Sequence, residues 1–550
     1  APAGMFTADD QVTVPAHGEA TVKVTADTRL GGDAVGLFTG RITATGDGQT
    51  VGTALAVQRE SEMYTVTVKP LDRKGEPAPA PAWDVQMQGL SGPAMGVGAV
   101  LYGDTYSVRV PKGRYFLNSM VRVDPAGSND LGGDWFNQPD LEVSKDTVVT
   151  VDARTAKPLD ITVPDRSAQQ VFGYFGAGVE LPDGSGAYFG VLTSTLAKYR
   201  TGHLGPKVAA DDKLSQKLVA SFSTGGNGHD EYHLVYQPTG DRYLTGFTHH
   251  AKSREFAEVQ VKLGAPAKGK FGFITPITEG GGGRGTVHAL PYTGTLHLLS
   301  GTNAWQLGFM QVDANDSYET RYDALTRTFK PGRSYQHVFN VGVFGPDLPE
   351  GTGLLRADEA IDGRLPLFSD SEGNISNNRS PIESARTSLY RNGELVNTSS
   401  NPMDVFYIAE NERADYRLTV SVKRGTVADV STSMTASWTF SSEFAPGITK
   451  LPTSVVRFTP ALSLDNTGKA RAKVWVPVTV RGTAAGRNLK SLSVWASYDK
   501  GAHWQKLSVC DGRVQVTNPK AGDSVSFKAQ AVDKQGNTVD ETIVDAYLTK

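Results

Sequence analysis

Leu492-Ser493-Val494-Trp495-Ala496-Ser497-Tyr498-Asp499-Lys500-Gly501-Ala502-His503-Trp504 alternates apolar and polar residues and then breaks at a turn. Period two places successive side chains on opposite faces of a half-buried strand. The same pattern recurs in Ala20-Thr21-Val22-Lys23-Val24-Thr25, Phe38 to Thr45 and Val51 to Val57. Tyr64 to Val68, Val148 to Asp152 and Leu159 to Val163 repeat it. So do Val259 to Leu263, Thr295 to Leu299, His337 to Val341, Tyr416 to Val422 and Ser433 to Phe440. Short strands at this density, separated by turn residues, predict an all-β chain of several β-sandwich modules in tandem, immunoglobulin- or fibronectin-like and transthyretin-like. Only Asp211 to Ala220, with Leu214 and Leu218 four apart, reads as a short helix.

The chain has 550 residues, enough for three to five domains at roughly 100–200 residues each. Lys+Arg is 55 and Asp+Glu is 58, a net charge of −3 that argues against nucleic acid as a partner. No apolar run reaches the ~18 residues of a membrane-spanning helix. The one cysteine, Cys510, excludes an intrachain disulfide, which many large secreted bacterial proteins also lack. Ala1-Pro2-Ala3-Gly4 has no initiator Met, basic n-region or apolar h-region, so the expected start is a processed or engineered end.

Four regions are expected. Residues 1–61 hold about half the strands of an immunoglobulin-like sandwich, which would leave an open edge and an uncovered apolar face for other polypeptide to complete. Residues 62–165 read as a transthyretin-like or carboxypeptidase-regulatory-like sandwich, with a hairpin at Pro111-Lys112-Gly113. Residues 166–450 form a large β-sandwich region of one or two modules. Residues 451–550 form a C-terminal immunoglobulin-like domain, with a hairpin turn at Asp533-Lys534-Gln535-Gly536-Asn537.

The residue groups with chemical potential are few. His229-Asp230-Glu231-Tyr232-His233 has the histidine spacing of a zinc helix, but Leu234-Val235-Tyr236 continues it as a strand. On a strand i and i+4 lie ~13 Å apart and cannot share an ion. His249 and His250 would point to opposite sheet faces. Asp313, Asn315, Asp316 and Glu319 form one oxygen-rich loop, and Asp370, Glu372 and Asn374 another; each is a solvated turn or, as the alternative, a structural calcium site. Gly280 to Gly283, after Glu279, reads as a flexible loop without the Lys-Ser/Thr of a phosphate cradle. Ser431-Thr432-Ser433-Met434-Thr435-Ala436 resembles the nucleophile segment of subtilisins, yet it continues as a strand and has no base to activate it. Ser497-x-Asp499-x-Gly501-x-x-Trp504 resembles the Asp-box of sialidase-like hairpins and is expected to stabilise a turn. No catalytic, cofactor-binding or metal-ligating residue is assigned.

Several segments, in order, are similar to the C-terminal region of large secreted subtilisin-family serine proteases of actinobacteria. They are Gly332-Arg333-Ser334-Tyr335, Asn340 to Pro346, Leu365 to Asp370 and Thr387 to Gly393. Ala414 to Leu418, Trp438 to Phe440, Val456 to Pro460, Gly536 to Val539 and Ala546-Tyr547 continue the match. The resemblance implies a non-catalytic, secreted β-portion that stabilises an upstream catalytic domain or helps it to bind substrate or surface. Its partners would be that catalytic chain and protein substrates. No residue matches the family's Asp, His or Ser. The alternative is a free-standing secreted binding or adhesion protein of immunoglobulin-like modules, using aromatics such as Trp135-Phe136 or Trp504. A third reading is a hydrolase using His229, His233 or nearby acids.

Overall fold

The computed structural model describes residues 1–32, 34–225, 229–301, 303–376, 380–403 and 405–550. Among these residues the regular structure is β-strand and short 3-10 turns, with no α-helix. The all-β class read from alternation is therefore the class that forms. Ala414–Lys423 shows why: its residues alternate between core and outer face along the whole strand.

Most of the chain is a stack of sheets that share faces. Thr147–Asp152, Met63–Leu71 and Ser107–Pro111 make a three-stranded sheet. It faces a seven-stranded sheet that includes Trp83–Gly89, Gly113–Arg122, Gly133–Val143 and Tyr199–His203. Val66, Val110 and Val151 meet Trp83, Leu117 and Phe136 between them. The back of that seven-stranded sheet buries Phe116, Trp135 and Leu159 against Phe175, Leu218 and Leu234 of a second seven-stranded sheet. The second sheet then turns Val219, Val235 and Leu298 into the largest core, where Ile274, Leu307 and Phe309 join them. Each shared sheet thus has two buried faces, which costs its strands their polar alternate positions.

The final part pairs a sheet containing Ser384–Arg391, Ala414–Lys423, Ser433–Ser442, Thr538–Thr549, Ser524–Asp533 and Leu489–Ser497 with a four-stranded one. Trp438, Phe527 and Val539 on the first meet Val456, Val476 and Val514 on the second. Ser433–Ser442 is hydrogen-bonded to Thr538–Thr549, so one sheet runs across the expected 450/451 boundary. Lys157–Thr162 pairs with Phe247–His250, and Gly133–Val143 pairs with Tyr199–His203, across the expected 165/166 boundary.

Residues 1–61 stand apart from this stack. Among the described residues Phe6–Ala8 pairs only with Val24–Ala26, and Gly36–Gly46 pairs only with Gln49–Arg59. In the longer hairpin Phe38 opposes Val57, Gly40 opposes Leu55, and Ala44 opposes Val51, so these residues share one apolar face. Phe6 lies over Gly40, where an added Cβ would come within 2.7 Å of its ring, and covers one end of that face. The far end is open, and Val51 is 65% exposed. None of the three cores contains a described residue from this segment.

Three local expectations are overturned. The short helix expected over 211–220 is the strand Lys213–Ser223, paired on both sides; Leu214 and Leu218 share a face because four residues is also an even step. Pro111-Lys112-Gly113 is not a hairpin turn. Ser107–Pro111 pairs with Met63–Leu71, and Gly113–Arg122 pairs in the facing sheet, so the three residues carry the chain between layers. Gly113 packs so closely there that a Cβ would meet Ala94 Cβ at 2.6 Å. Gly280 to Gly283 is not a free loop: Gly281–Gly282 pairs with Phe271–Thr278, and Gly280 and Gly283 are buried.

Candidate functional site

Asp230 to His233 lie on the strand Asp230–Tyr236, as the sequence suggested, with His229 just before it, but tertiary packing gives them partners that are remote in sequence. The Asp230 carboxylate bonds His297 at 2.9 Å, and His297 stacks on Tyr232. Glu231 lies between two imidazoles, with His233 Nε2 at 3.2 Å from one oxygen and His288 Nε2 at 3.2 Å from the other. The Thr286 N–H donates to it at 2.8 Å. His233 Nδ1 is 2.9 Å from Ser221 Oγ on the neighbouring strand. If His233 Nε2–H donates to Glu231, Ser221 O–H donates to Nδ1, and both ring nitrogens of His233 are used. His229 takes no part in this chain, and its ring lies 5.5 Å from Tyr292.

Ser, His and a carboxylate in this order have the hydrogen-bond polarity of an activated nucleophile. Access decides against that chemistry. Ser221, His233 and Glu231 are 0%, 1% and 4% exposed. The cavity beside Glu231 and His288 is about 10 Å³, at or below what one water needs. Gly283 closes the hydroxyl side, where a Cβ would come within 2.6 Å of Ser221 Oγ, and Gly285 closes Glu231. The glycine-rich segment is thus the cover of a buried polar clamp joining two sheets. Ser221 and His288 carry no local signal in sequence; only the glycine run at 280–285 hints that something approaches closely.

The two oxygen-rich loops are held by amide donors. Asp313 accepts from the Asn315 and Ser317 N–H groups, while Glu319 turns inward to Lys270 and Gln311. Asp370 is fully buried and accepts from Asn340, Glu372 and Asn374 backbone N–H and from Asn374 Nδ2. Asp313 Oδ1 and both Asp370 oxygens are thus occupied, and no group of three or more His, Cys, Asp or Glu among the described residues could hold a metal ion. His249 and His250 diverge as expected, to Glu255 and Asp160 respectively.

Asn340 to Pro346, Leu365 to Asp370 and Val456 to Pro460 meet at one buried node. The Arg457 guanidinium donates to the Gly345, Pro346, Ser369 and Asp370 carbonyls. The Arg424 guanidinium lies over the rings of Phe344 and Phe368. Ser431 accepts from the Phe344 N–H, and Thr432 donates to Asp545, so the nucleophile-like segment is structural. Beside the node Glu541 accepts from Val456 N–H through Oε1, while its buried Oε2 has no partner. Burial raises the Glu541 carboxyl to about 8.

The aromatics expected to face ligands divide. Trp135 and Phe136 are 1% and 0% exposed, because consecutive residues of a shared sheet enter two different cores. Trp504 is half-buried against Gly501 in the Asp-box-like turn. There Asp499 accepts from the His503 N–H and the Ser497 hydroxyl, and these bonds hold its carboxyl below the usual range.

Fold and site together define a non-helical protein of stacked β-sheets whose buried polar clusters hold layers together. No protein-family model and no curated protein matches the chain. Among solved structures, Sidekick-1 immunoglobulin domains 1–4 align at 12% identity over 89% of this chain and 95% of that one, with a TM-score of 0.12. The N-terminal four Ig domains of Dscam1 isoform 6.44 align at 10% identity over 72% of this chain and 97% of that one, also at 0.12. At that TM-score the likeness carries no argument. Among the described residues no helix is long and apolar enough to cross a membrane.

Proposed function

We propose that this chain is the non-catalytic β-portion of a secreted subtilisin-family serine endopeptidase and that it joins the catalytic part through residues 1–61. The observation that carries the reading is the hairpin Gly36–Gly46/Gln49–Arg59, which has two open edges and an apolar face covered at one end only. An open edge offers unpaired N–H and C=O groups, and added strands would satisfy them while covering Ile42, Ala44 and Val51. The ordered resemblance over residues 332–547 supplies the family of the partner. The stacked sheets behind the hairpin would serve as a rigid support that stabilises the protease or positions its protein substrates.

The test is to purify the chain from its secreting cells and treat the sample with a serine-hydrolase active-site probe. A labelled second polypeptide that co-purifies through residues 1–61 supports the reading. A chain that is intact, unaccompanied and unlabelled overturns it and favours a free-standing binding protein of β-sandwich modules. The groove described next gives that second reading a concrete surface.

A further inference from the structure

The outer face of the nine-stranded sheet ends in a groove of about 430 Å³, within the ~300–1,000 Å³ of small-ligand sites. Tyr390 lines it, the strands of Tyr416 and Phe440 form its floor with those two side chains turned into the core, and the turn around Gln535, Gly536 and Asn537 walls one side. Its polar groups are fixed by bonds that leave one functional end open. Asp415 is anchored through its backbone to Asn392, and Oδ1 accepts from Ser441 Oγ at 2.5 Å, which leaves Oδ2. Gln535 Oε1 accepts from Asn488 Nδ2, which leaves its own NH₂. Asn537 Nδ2 donates to Asp533, which leaves its carbonyl. The Arg417 guanidinium carbon lies over Tyr390, 4.4 Å from the ring centre, and the group has no hydrogen-bond or ion-pair partner among the described residues.

We infer that this groove binds a neutral, hydroxyl-rich ligand, an oligosaccharide segment. Two features narrow the ligand class. The strands beneath, Ser384–Arg391, Ala414–Lys423, Ser433–Ser442 and Thr538–Thr549, are hydrogen-bonded in succession, so no backbone edge is left for a peptide to pair with. The open groups mix one anion, one cation, an amide donor and an amide acceptor, so the formal charges of Asp415 and Arg417 cancel. A sugar hydroxyl both donates and accepts, and it suits such a mixed array better than a phosphate or carboxylate does. The preset geometry of the side chains lowers the ordering cost of binding. The inference concerns a face made of residues 390–537 and stands whether or not residues 1–61 dock a protease.

The experiment is affinity electrophoresis of the whole chain in gels containing hydroxyethylcellulose, xylan, laminarin or pullulan, with polygalacturonate as the anionic comparison. At least one neutral polymer should retard the chain. Asp415→Ala and Arg417→Ala should each weaken that retardation tenfold or more, and Arg417→Lys should weaken it less. Both positions are exposed, and unchanged melting temperatures would show that the fold is intact. No retardation by any neutral polymer, retardation by polygalacturonate alone, or retardation unchanged in both alanine variants would overturn the assignment.

Discussion

Glu231 shows how much a single buried carboxylate depends on its donors. Burial alone would raise its pKa, but the His233 and His288 side chains and the Thr286 N–H bring it from 4.5 down to about 2. A folded-state value below the unfolded one means stability that is complete above about pH 4.5 and lost as pH falls toward 2. Glu231→Gln should therefore cost about 3 kcal/mol at pH 7 and flatten the acid side of the stability profile, read by urea unfolding at several pH values. Glu541 has the opposite sign. Its carboxyl, raised to about 8, favours the protonated folded state, so its contribution declines as pH rises from about 4.5 through 8. Glu541→Gln should raise the melting temperature at pH 8.5 and change it little at pH 5. Equal effects at both pH values would show that Glu541 is not protonated in the fold. The sequence pointed to His229 and His233 with the acids between them, whereas the Glu231–His233 pairing, Ser221, His288 and the role of Glu541 come from strands that meet only in space.

At the scale of elements, sharing a face decides which aromatic residues matter. Trp135 and Phe136 point into different cores from one strand, Gly133–Val143. Trp135→Ala and Phe136→Ala should each destabilise by about 3–5 kcal/mol, with additive costs because the two cavities lie on opposite sides of the sheet. Chemical denaturation of the two single variants and the double variant checks this. The hairpin 36–59 is at the other extreme. A two-stranded ribbon with a half-covered face is marginal on its own. Its amides should exchange with deuterium orders of magnitude faster than those of Gly113–Arg122 in the isolated chain. They should slow when a partner adds strands. Protection equal to that of Gly113–Arg122 in the isolated chain would remove the case for a missing partner.

For the whole molecule, sheets with two buried faces link regions that the sequence suggests are separate modules. Tandem domains joined by linkers unfold in separable steps, whereas layers that share sheets lose both cores when one sheet is lost. Calorimetry should show residues 62–550 melting in one dominant transition, with removal of residues 1–61 leaving its midpoint within a few degrees. A chain divided at 165/166 should give halves that do not fold, because the first would expose Trp135 and Leu159 and the second Phe175 and Leu234. Two well-separated transitions, or independently folding halves, would contradict the shared-sheet architecture.

Strand class and the turns at Asp499 and Asp533 were legible in the chain because both are local. Period-two alternation identifies strands such as Ala414–Lys423, and Asp499 and Asp533 close their turns with bonds to residues two to four positions away. Which strands pair, and which faces are shared, required the tertiary structure. Alternation shows that a strand has a buried side but not what buries it, and a strand buried on both sides loses the alternation altogether. Asp211 to Ala220, most of which lies in the strand Lys213–Ser223, therefore read as a short helix. The same limit hid the Ser221–His233–Glu231–His288 clamp and the Asp415–Arg417–Gln535–Asn537 groove, whose members are brought together by strand order rather than by spacing along the chain.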